Sequence, residues 1–370
     1  MPLTALTAPG VAGLVPYQPG KPIEDLEQAL GITGSIKLAS NENPLGPSPA
    51  ALQAIQATAG QIFRYPDGGC TELRCALAEL HAVEPGAITV GNGSSELLEL
   101  MARTFLTPAH ESLFFEHAFA VYPIVTQACG ATARIVPVSP ADHEGSYGQD
   151  LKQLLEVINE KTRLVFIANP NNPTGTWIKA DQINSFMADV PEHVVVVIDE
   201  AYFEYVQEAQ YQTAIPLIRE YSNLLVTRTF SKIFGLAGLR VGYGIASQPL
   251  TELINRVRQP FNVNLLAQKA AVAALYDRNH TDLSVKTNQE GLEQLKKGID
   301  TLRLDSIPSV GNFLCINFSR PATPIYDALL REGVIVRPVA NYGLPNHLRV
   351  TVGTQAENSR FLNTLKKVLA

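Results

Sequence analysis

The chain is predicted to adopt an α/β fold, with a mainly parallel sheet between layers of helices in a large unit and a smaller α+β unit after it. Two observations lead to this prediction. Short apolar segments alternate with helical patterns from about Thr71 to Ala246, and such alternation is typical of parallel sheets covered on both faces. After Gln259-Pro-Phe the order changes to a long helical stretch followed by mixed strands and helices, which is typical of a separate α+β unit.

The individual elements follow from the spacing of apolar residues and from the turn residues between them. The predicted strands of the large unit are Ala87–Val90, Ser112–Phe115, Arg134–Val138, Arg163–Ala168, Val194–Asp199, Asn223–Arg228 and Val241–Ile245. Its predicted helices are Thr71–Ala82, Ser94–Phe105, Asp150–Glu160 and Asp181–Ala188. The smaller unit is predicted to contain a helical stretch at Asn264–Leu302 with a break near Asp277–His280, strands at Asn312–Phe318, Val334–Arg337 and Leu348–Val352, and helices at Pro324–Glu332 and Gln355–Leu369.

The composition excludes several classes of protein. Apolar residues make up 46% and charged residues 17% of the chain, and the net charge of −6 gives no basic surface for nucleic acid. The four cysteines form neither a Cys-x-x-Cys pair nor a Cys/His cluster, so no metal site or disulfide is expected and a cytoplasmic location is predicted. The first 20 residues lack Lys and Arg, so no signal peptide is expected. No apolar run reaches the roughly 20 residues that span a membrane.

The most informative segment runs from Thr229 to Arg240, with the sequence Thr-Phe-Ser-Lys-Ile-Phe-Gly-Leu-Ala-Gly-Leu-Arg. A lysine most often lies on a solvated helix face, but the neighbours of Lys232 are apolar or small. Desolvation there lowers the pKa of the amine and leaves it free to form an imine. The hydroxyls of Thr229 and Ser231 and the guanidinium of Arg240 suit a phosphate group. An amine beside phosphate donors predicts a site for pyridoxal phosphate, whose ring takes up electrons from a substrate.

Three further segments bring polar residues to the same predicted site. Val194–Asp199 is a β-branched strand that ends in a carboxylate, where ligands collect in open α/β sheets, although Asp199 could instead cap the next helix. Asn172 lies in Asn-Pro-Asn-Asn-Pro-Thr-Gly, which is also an ordinary turn sequence. Gly-Asn-Gly-Ser-Ser follows a predicted strand and opens a helix, so the N–H groups of Ser94 and Ser95 are predicted to bind an anion.

These motifs occur in the order Asn-Pro-Thr-Gly, Asp-Glu-Ala-Tyr, Ser-Lys, Arg, and this order resembles the fold-type I pyridoxal-phosphate aminotransferases. Four other segments resemble the histidinol-phosphate aminotransferase branch of that superfamily. They are Tyr17-Gln-Pro-Gly-Lys-Pro22, Ser40-Asn-Glu-Asn-Pro-Leu-Gly46, Arg64-Tyr-Pro-Asp67 and His347-Leu-Arg-Val-Thr-Val-Gly-Thr354. The resemblance extends nearly end to end. It implies an N-terminal arm that packs with the small domain (1–45), a large cofactor-binding domain (46–262) and a C-terminal small domain (263–370).

The resemblance implies a role for each residue at the cofactor ring. Asp199 is expected to pair with the pyridinium nitrogen. Tyr202 and Asn172 are expected to donate hydrogen bonds to the phenolate oxygen, which lowers the pKa of the imine. Phe119 is expected to stack on the ring, where many relatives have Tyr, and a core phenylalanine is the alternative interpretation. The free amine of Lys232 is expected to move a proton between the substrate's Cα and C4′ of the cofactor.

The resemblance also implies an obligate homodimer with shared active sites. A tyrosine in Arg-Tyr-Pro-Asp would ordinarily pack at the surface, but Tyr65 matches the residue that reaches the cofactor phosphate of the neighbouring subunit. The stretch Asp67-Gly-Gly-Cys-Thr71 after it departs from the Gly-Asn-Gly of relatives. This departure concerns the conformation of the loop and leaves the match of the tyrosine unchanged.

Two arginines are predicted to bind the substrate. Arg349 matches the carboxylate-binding arginine of the family, although an arginine on a strand more often lies at the surface. Arg337 ends the preceding short strand, and two neighbouring guanidinium groups suit a dianion. Tyr17 and Asn43 are expected to add hydrogen bonds. The predicted reaction, a step of histidine biosynthesis, converts imidazole-acetol phosphate and L-glutamate to L-histidinol phosphate and 2-oxoglutarate.

Other functions share parts of this pattern. Aromatic amino-acid aminotransferases of the same branch carry nearly all these residues, and an apolar pocket discriminates poorly between substrates. A phosphothreonine-type decarboxylase also resembles the branch and would remove the α-carboxylate instead of exchanging an amine. A regulatory protein on this scaffold would carry a DNA-binding helix-turn-helix, for which the roughly 20 residues before the family match are too few.

Overall fold

The computed structural model describes residues 2–138 and 147–370. The α-helices in these residues are α1 (Ile23–Leu30), α2 (Pro49–Thr58), α3 (Thr71–His81), α4 (Ser94–Phe105), α5 (Val121–Ala128), α6 (Leu151–Val157), α7 (Ala180–Asp189), α8 (Gln248–Val257), α9 (Leu265–Tyr276), α10 (Arg278–Thr301), α11 (Thr323–Arg331) and α12 (Gln355–Leu369). The strands are β1 (Ile36–Lys37), β2 (Ile88–Gly91), β3 (Glu111–Phe115), β4 (Thr132–Val136), β5 (Thr162–Ala168), β6 (Val195–Asp199), β7 (Leu224–Thr229), β8 (Gly242–Ala246), β9 (Asp305–Ile307), β10 (Phe313–Asn317), β11 (Val334–Ile335), β12 (Arg337–Pro338) and β13 (His347–Thr351).

The larger sheet has seven strands in the order β2-β8-β7-β6-β5-β3-β4. β8 runs antiparallel to both neighbours and the other pairs are parallel, so the predicted α/β class with a mainly parallel sheet is confirmed. Both faces of the sheet are covered. Along β6, Val196 and Ile198 pack into one apolar cluster, whereas Val195 and Val197 pack into another on the opposite face.

The elements of this large unit agree closely with the sequence patterns. All seven predicted strands are present, with ends that differ by at most two residues, and α4 has the predicted bounds. α6 ends at Val157 instead of Glu160, because the backbone of Ile158 turns to φ −60° and ψ 136°. The patterns did not indicate α1, α2, α5 or α8. α5 begins with Val121 and contains Pro123, and β-branched residues and proline both lower helix propensity.

The second sheet is antiparallel, with strands in the order β12-β13-β10-β9. Helices α10 and α12 cover it through side chains such as Leu295 and Phe361. The predicted break in the long helical stretch is confirmed at Asp277, whose carboxylate accepts a hydrogen bond from the His280 N–H at 3.2 Å at the start of α10. The single strand predicted at Val334–Arg337 is two strands, β11 and β12, which belong to different sheets.

The segment before residue 45 pairs with the C-terminal unit. β1 runs parallel to β11, with Ile36 opposite Val334. The Leu38 N–H donates to the Ile335 carbonyl oxygen at 2.7 Å, and the Thr351 N–H donates to the Leu38 carbonyl oxygen at 2.9 Å. These bonds support a small domain built from both ends of the chain, and the domain limits at 1–45, 46–262 and 263–370 stay a prediction.

Two kinds of feature are absent from the described residues. None of the helices in residues 2–138 and 147–370 has both the length and the apolar character needed to cross a bilayer. Across the same residues, no group of three or more His, Cys, Asp and Glu side chains is arranged to hold a metal ion.

A buried ion pair lies behind the carboxyl ends of β6 and β7. Arg228 donates from Nε and Nη2 to Glu200 Oε2 at 3.0 and 2.8 Å. The guanidinium carbon lies 3.5 Å from the centre of the Phe203 ring. Successive side chains along a strand point to opposite faces of the sheet. Glu200 and Arg228 therefore face one side, and Asp199, the residue before Glu200, faces the other. The ion pair thus fixes the two strand ends and leaves the opposite face, on the side of Asp199, unoccupied by its side chains.

Candidate active site

A cavity of about 250 Å³ opens where the carboxyl ends of β5, β6 and β7 meet the amino end of α4 and the strands β12 and β13. Ligands bind at this edge in open α/β sheets. The predicted site residues that line it are Tyr17, Ser94, Ser95, Phe119, Asn172, Asp199, Tyr202, Thr229, Ser231, Lys232, Arg240, Arg337 and Arg349. The structure therefore brings together residues that lie as far apart as the N-terminal arm and the penultimate element of the chain.

Lys232 lies in the loop after β7, and its side chain lines the cavity. Its Nζ donates to the Ser40 carbonyl oxygen at 3.2 Å. Burial, and then the charge of Arg349, lowers the pKa of the amine to about 8. The loop is tight, since Gly235 has φ +66° and a Cβ there would lie 2.2 Å from the Gly46 carbonyl oxygen. The amine is thus positioned to act as a nucleophile or a base near neutral pH.

Asp199 ends β6 at the floor of the cavity and is buried. Its Oδ2 accepts a hydrogen bond from the Tyr122 hydroxyl at 3.2 Å, and its Oδ1 accepts one from the Thr227 hydroxyl at 3.1 Å. Burial raises the pKa of the carboxyl to about 6. A cationic N–H group in the cavity would favour the carboxylate form, and this suits the predicted contact with a pyridinium nitrogen.

Tyr202 and Asn172 present hydrogen-bond donors to the cavity. The Tyr202 hydroxyl oxygen accepts from Asn41 Nδ2 at 2.8 Å, and Asn172 Oδ1 accepts from Arg349 Nη1. The Asn172 amide nitrogen is thereby left to donate elsewhere. Burial raises the pKa of Tyr202 to about 12, so the phenol keeps its proton. Both side chains can donate to an anionic oxygen, and their contact with the phenolate oxygen of the cofactor stays a prediction.

The phosphate cup consists of Ser94, Ser95, Thr229, Ser231 and Arg240. Ser94 and Ser95 form the first turn of α4, whose free N–H groups attract an anion. The Thr229 hydroxyl donates to Ser231 Oγ at 3.0 Å, and Arg240 Nη1 donates to the same oxygen at 3.4 Å. Donors from two separate segments, the start of α4 and the stretch from Thr229 to Arg240, therefore converge on one small volume.

Two glycines keep the phosphate cup open. A Cβ at Gly93 would lie 2.5 Å from Arg240 Nη2, and one at Gly242 would lie 2.4 Å from the Ser94 nitrogen. Any side chain at either position would displace a donor of the cup. With its guanidinium, its hydroxyls and the end of α4, the cup fits the phosphate of pyridoxal phosphate.

Phe119 lies on the wall of the cavity above the strand ends. Its ring is perpendicular to that of Tyr122, with an interplanar angle of 89° and centroids 6.0 Å apart. An aromatic ring fixed in this way suits stacking against a flat heterocycle.

Arg337 and Arg349 are opposite each other on the antiparallel strands β12 and β13. They are only 6% and 5% exposed, and neither takes part in an ion pair within the described residues. Arg349 Nη2 donates to the Ala39 carbonyl oxygen at 2.7 Å, while its buried Nε has no partner in the described part of the chain. The Arg337 guanidinium lies 5.3 Å from the centre of the Tyr17 ring. Because like charges in opposite positions repel, the pair favours an anionic ligand.

The structure differs from the sequence prediction at Asn43, which does not line the cavity. Its Nδ2 donates to the Ile233 carbonyl oxygen at 2.7 Å and to the Ser284 hydroxyl at 2.9 Å. The side chain therefore holds the loop that carries Lys232, and its hydrogen bond to the substrate stays a prediction. Asn41, two residues earlier in the same motif, lines the cavity in its place.

Three residues of the site were missed in the sequence. Tyr122 follows Phe119 by one turn, in which its N–H donates to the Phe119 carbonyl oxygen at 3.0 Å. Thr227 lies two residues before Thr229, on the same face of β7. Spacing could have identified both of these residues. Asn41 carries no such signal, because only the fold distinguishes it from Asn43.

Tyr65 lies outside the cavity of its own chain. It is 81% exposed and stacks on Phe261 with ring centroids 4.7 Å apart. One chain therefore does not supply this tyrosine to its own site. Its contribution to the site of a neighbouring subunit stays a prediction.

The sequence and the fold agree with known aminotransferases. Residues 33–365 match the family described as aminotransferase class I and II. Histidinol-phosphate aminotransferase 1 of Nitrosococcus oceani is 52% identical over 364 residues, which cover 98% of this chain and 97% of that protein. This chain belongs to the histidinol-phosphate aminotransferase family.

Further members of the family agree with this assignment. Histidinol-phosphate aminotransferase 2 of Pseudomonas fluorescens (strain Pf0-1) is 53% identical over 368 residues, which cover 99% of this chain and 98% of that protein. The crystal structure of the Sinorhizobium meliloti histidinol-phosphate aminotransferase in complex with pyridoxal 5′-phosphate is similar, with a TM-score of 0.89 at 27% identity. That similarity covers 98% of this chain and 96% of the other. The resemblance stated from the motifs is confirmed.

Gly93→Ala is expected to weaken the binding of pyridoxal phosphate roughly tenfold or more, because the new Cβ displaces a charge-assisted donor worth about 1.5 kcal/mol. An absorbance titration of the cofactor-free protein measures the affinity. Gly238→Ala is the matched control, because nothing lies within 4 Å of a Cβ there, and its affinity is expected to be unchanged. Equal losses in the two variants would contradict the assignment of the phosphate cup.

The rate at which the cofactor-free protein captures pyridoxal phosphate at Lys232 is expected to rise with pH and to level off above about pH 8. Only the neutral amine reacts, and its pKa is about 8 where an ordinary lysine has a pKa of about 10.4. Stopped-flow absorbance across this range measures the midpoint. Arg349→Gln removes a neighbouring positive charge and should move the midpoint to higher pH. A midpoint near that of an ordinary lysine in the unaltered chain would rule out the desolvated amine.

Proposed function

We propose that this chain is a pyridoxal-phosphate-dependent aminotransferase that converts imidazole-acetol phosphate and L-glutamate to L-histidinol phosphate and 2-oxoglutarate. The observation that carries the proposal is the pair of buried arginines, Arg337 and Arg349, in the same cavity as Lys232. Two guanidinium groups suit a phosphate dianion, whereas an amino acid presents a single α-carboxylate. The relatives that are 52% and 53% identical bear the name of this activity.

The residues of the cavity bind and orient the cofactor. Pyridoxal phosphate, when bound, supplies an aldehyde for the substrate's amine and a ring that takes up electrons from the substrate's Cα. The phosphate cup holds the phosphate, and Phe119 stacks on the ring. Asp199 keeps the pyridine nitrogen protonated, while Tyr202 and Asn172 donate to the phenolate oxygen.

Lys232 moves the proton that the exchange requires. With the cofactor bound, its Nζ would accept the proton from the substrate's Cα and would then donate it to C4′ of the cofactor. A pKa of about 8 lets the same amine serve as base and then as acid near neutral pH. The Ser40 carbonyl oxygen, 3.2 Å from Nζ, orients the amine between these two steps.

The arginine pair accommodates both substrates in one cavity. Arg349 binds the α-carboxylate of glutamate with its guanidinium, including the buried Nε that has no partner within the described residues. The phosphate of histidinol phosphate engages both guanidinium groups, and the Tyr17 hydroxyl adds a hydrogen bond at the edge of the cavity. The transfer of the amino group requires that glutamate and histidinol phosphate each place the reacting Cα beside Lys232.

A comparison of amino donors tests the proposed substrate. L-histidinol phosphate, phenylalanine and tyrosine are each supplied with 2-oxoglutarate, and kcat/KM is measured. Histidinol phosphate is expected to exceed the other two by roughly 100-fold or more, because a substrate without the phosphate leaves buried charged donors without their partner. A higher value for phenylalanine or tyrosine would make the chain an aromatic aminotransferase. Carbon dioxide release without amine exchange would make it a decarboxylase.

We also propose that two copies of the chain form a homodimer with shared active sites. The exposed Tyr65 shares a surface depression with Ile62 and Phe63, whose side chains are also exposed, and it packs on Phe261. Contiguous apolar surface of this kind is typical of protein interfaces. If a second copy of the chain covers this surface, the Tyr65 of each copy would lie near the phosphate cup of the other copy.

A cytoplasmic location and the three-part domain division complete the proposal. Cys70, Cys75, Cys129 and Cys315 are free thiols, and free thiols support a reducing compartment. The pairing of β1 with β11 supports a small domain formed by residues 1–45 and 263–370 beside the large domain at 46–262.

Arg337→Ala is expected to raise the KM for L-histidinol phosphate roughly 10- to 100-fold and to leave the KM for glutamate nearly unchanged. The loss corresponds to the roughly 1.5–3 kcal/mol of a hydrogen bond to a charged group, which only the phosphorylated substrate makes with this arginine. Steady-state kinetics with each substrate measures the ratio. Arg320→Ala, at an exposed position in the same unit, is the control and should change neither value. Equal losses for the two substrates would remove the basis for the phosphate assignment.

Tyr65→Phe is expected to weaken cofactor retention, and mixing with a Lys232→Ala chain is expected to restore activity. In a mixed dimer one of the two sites combines the intact Lys232 of one chain with the intact Tyr65 of the other. Activity after subunit exchange measures the effect. The control replaces the second chain with the double variant Lys232→Ala/Tyr65→Phe, in which no intact site can form. No recovery in fully exchanged mixed dimers would refute the shared site.

A further inference from the structure

We propose that Asn41 is a positioning residue that fixes the direction of the Tyr202 hydroxyl, so that its hydrogen is donated to the phenolate oxygen of the cofactor. The proposal rests on the proposed function, since it concerns the same site. Asn41 and Tyr202 both line the cavity, and Asn41 Nδ2 lies 2.8 Å from the Tyr202 oxygen.

Asn41 is held by a pair of reciprocal hydrogen bonds with Thr351 on β13. The Asn41 backbone N–H donates to Thr351 Oγ1 at 2.9 Å. The Thr351 hydroxyl donates in return to Asn41 Oδ1 at 3.1 Å. Both residues are buried, so neither bond is exchanged for one to bulk water.

These bonds determine which end of the Asn41 amide faces the tyrosine. A backbone N–H can only donate, so the Thr351 oxygen accepts that bond and its single hydrogen needs a separate acceptor. Asn41 Oδ1 is that acceptor, and the NH₂ end therefore faces Tyr202. The reversed amide would present a second donor to Thr351 and leave the buried hydroxyl hydrogen without an acceptor, which is costly.

The direction of the tyrosine hydroxyl follows from the amide. Because the Tyr202 oxygen accepts from Asn41 Nδ2, its own hydrogen has to be donated elsewhere. No acceptor for it lies within hydrogen-bond distance among the described residues, and the tyrosine lines the cavity. The one direction left for the hydrogen is the space that the cofactor's phenolate oxygen is proposed to occupy.

The backbone at Asn41 shows that this position is specified by the fold. Its φ is +55°, in the left-handed region that asparagine adopts more readily than most residues. The segment is fixed on both sides, since Asn312 Nδ2 donates to the Asn41 carbonyl oxygen at 3.0 Å and Arg349 Nη2 donates to the Ala39 carbonyl oxygen at 2.7 Å. The strand β13, which carries Arg349, thus also carries Thr351, which fixes the orientation of the Asn41 amide.

The test is a pH titration of the imine absorbance at Lys232 in the protein loaded with pyridoxal phosphate. A hydrogen bond to the phenolate oxygen stabilises the anion and keeps the imine pKa low. Tyr202→Phe is expected to raise that pKa by about one unit. Asn41→Gly removes the amide and still permits the left-handed backbone, and it is expected to raise the pKa by about half a unit.

The double variant decides whether Asn41 acts through the phenol. Asn41→Gly combined with Tyr202→Phe is expected to give the same imine pKa as Tyr202→Phe alone, because the amide then has no hydroxyl to orient. Additive shifts would overturn the proposal. A lower unfolding temperature with no change in the imine pKa of Asn41→Gly would also overturn it, since that is the result for a purely structural residue.

A second pair of variants tests the same link without altering Asn41. Thr351→Val removes the hydroxyl that fixes the amide and should raise the imine pKa, whereas Thr351→Ser keeps the hydroxyl and should restore the original value. Equal pKa values in the two variants would overturn the proposal, even if Asn41→Gly fails to fold. Absence of any imine band in the unaltered chain would instead refute the proposed function, and with it this inference.

Discussion

The site depends on the register between two neighbouring strands, β6 and β7. Asp199 and Thr227 are paired across this boundary, and their side chains share a hydrogen bond of 3.1 Å on the cavity side. On the opposite side of the same strand ends, Arg228 and Glu200 form a buried ion pair at 2.8 Å. Removing one partner of such a pair costs roughly 3–5 kcal/mol, because the other charge is left buried and alone. The strand ends are therefore held in register while the cavity side stays free for ligands.

Burial at the carboxyl ends of these strands also sets the chemistry of the groups in the cavity. It is the leading cause of the lowered pKa of the Lys232 amine and of the raised pKa values of the Asp199 carboxyl and the Tyr202 phenol. In each case burial favours the uncharged form of the group over its charged form. An uncharged amine is reactive, and an uncharged phenol is a donor. The carboxyl alone needs a cation to restore its charge, and the pyridinium of the proposed cofactor provides one.

Local spacing predicted the fold, and short motifs together with the family resemblance predicted most of the residues that line the cavity. The strand at β6 was recognisable from its run of β-branched residues, and Asp199 from its place at the end of that run. Lys232 was recognisable because its neighbours are apolar or small. The sequence did not show that Asn43 lies outside the cavity lining, because its side chain donates to Ser284 of α10, which is remote in the chain. The role predicted for Tyr65 at the neighbouring subunit's phosphate stays a prediction, since it concerns a second copy of the chain.

The sequence by itself determined the order of strands and helices, the apolar faces that make them pack, and the identity of the amine, carboxylate and phosphate donors. The apolar faces repeat with the period of a strand or a helix, and the amine, carboxylate and phosphate donors lie in short motifs, so all of them can be recognised within a few residues. Only the tertiary structure decided that Arg337 stands opposite Arg349, that Asn41 and not Asn43 faces the cavity, and that Thr351 sets the Asn41 amide. These contacts join segments that lie far apart in the chain. They exist because separate apolar surfaces have to be buried together, and no local pattern records that requirement.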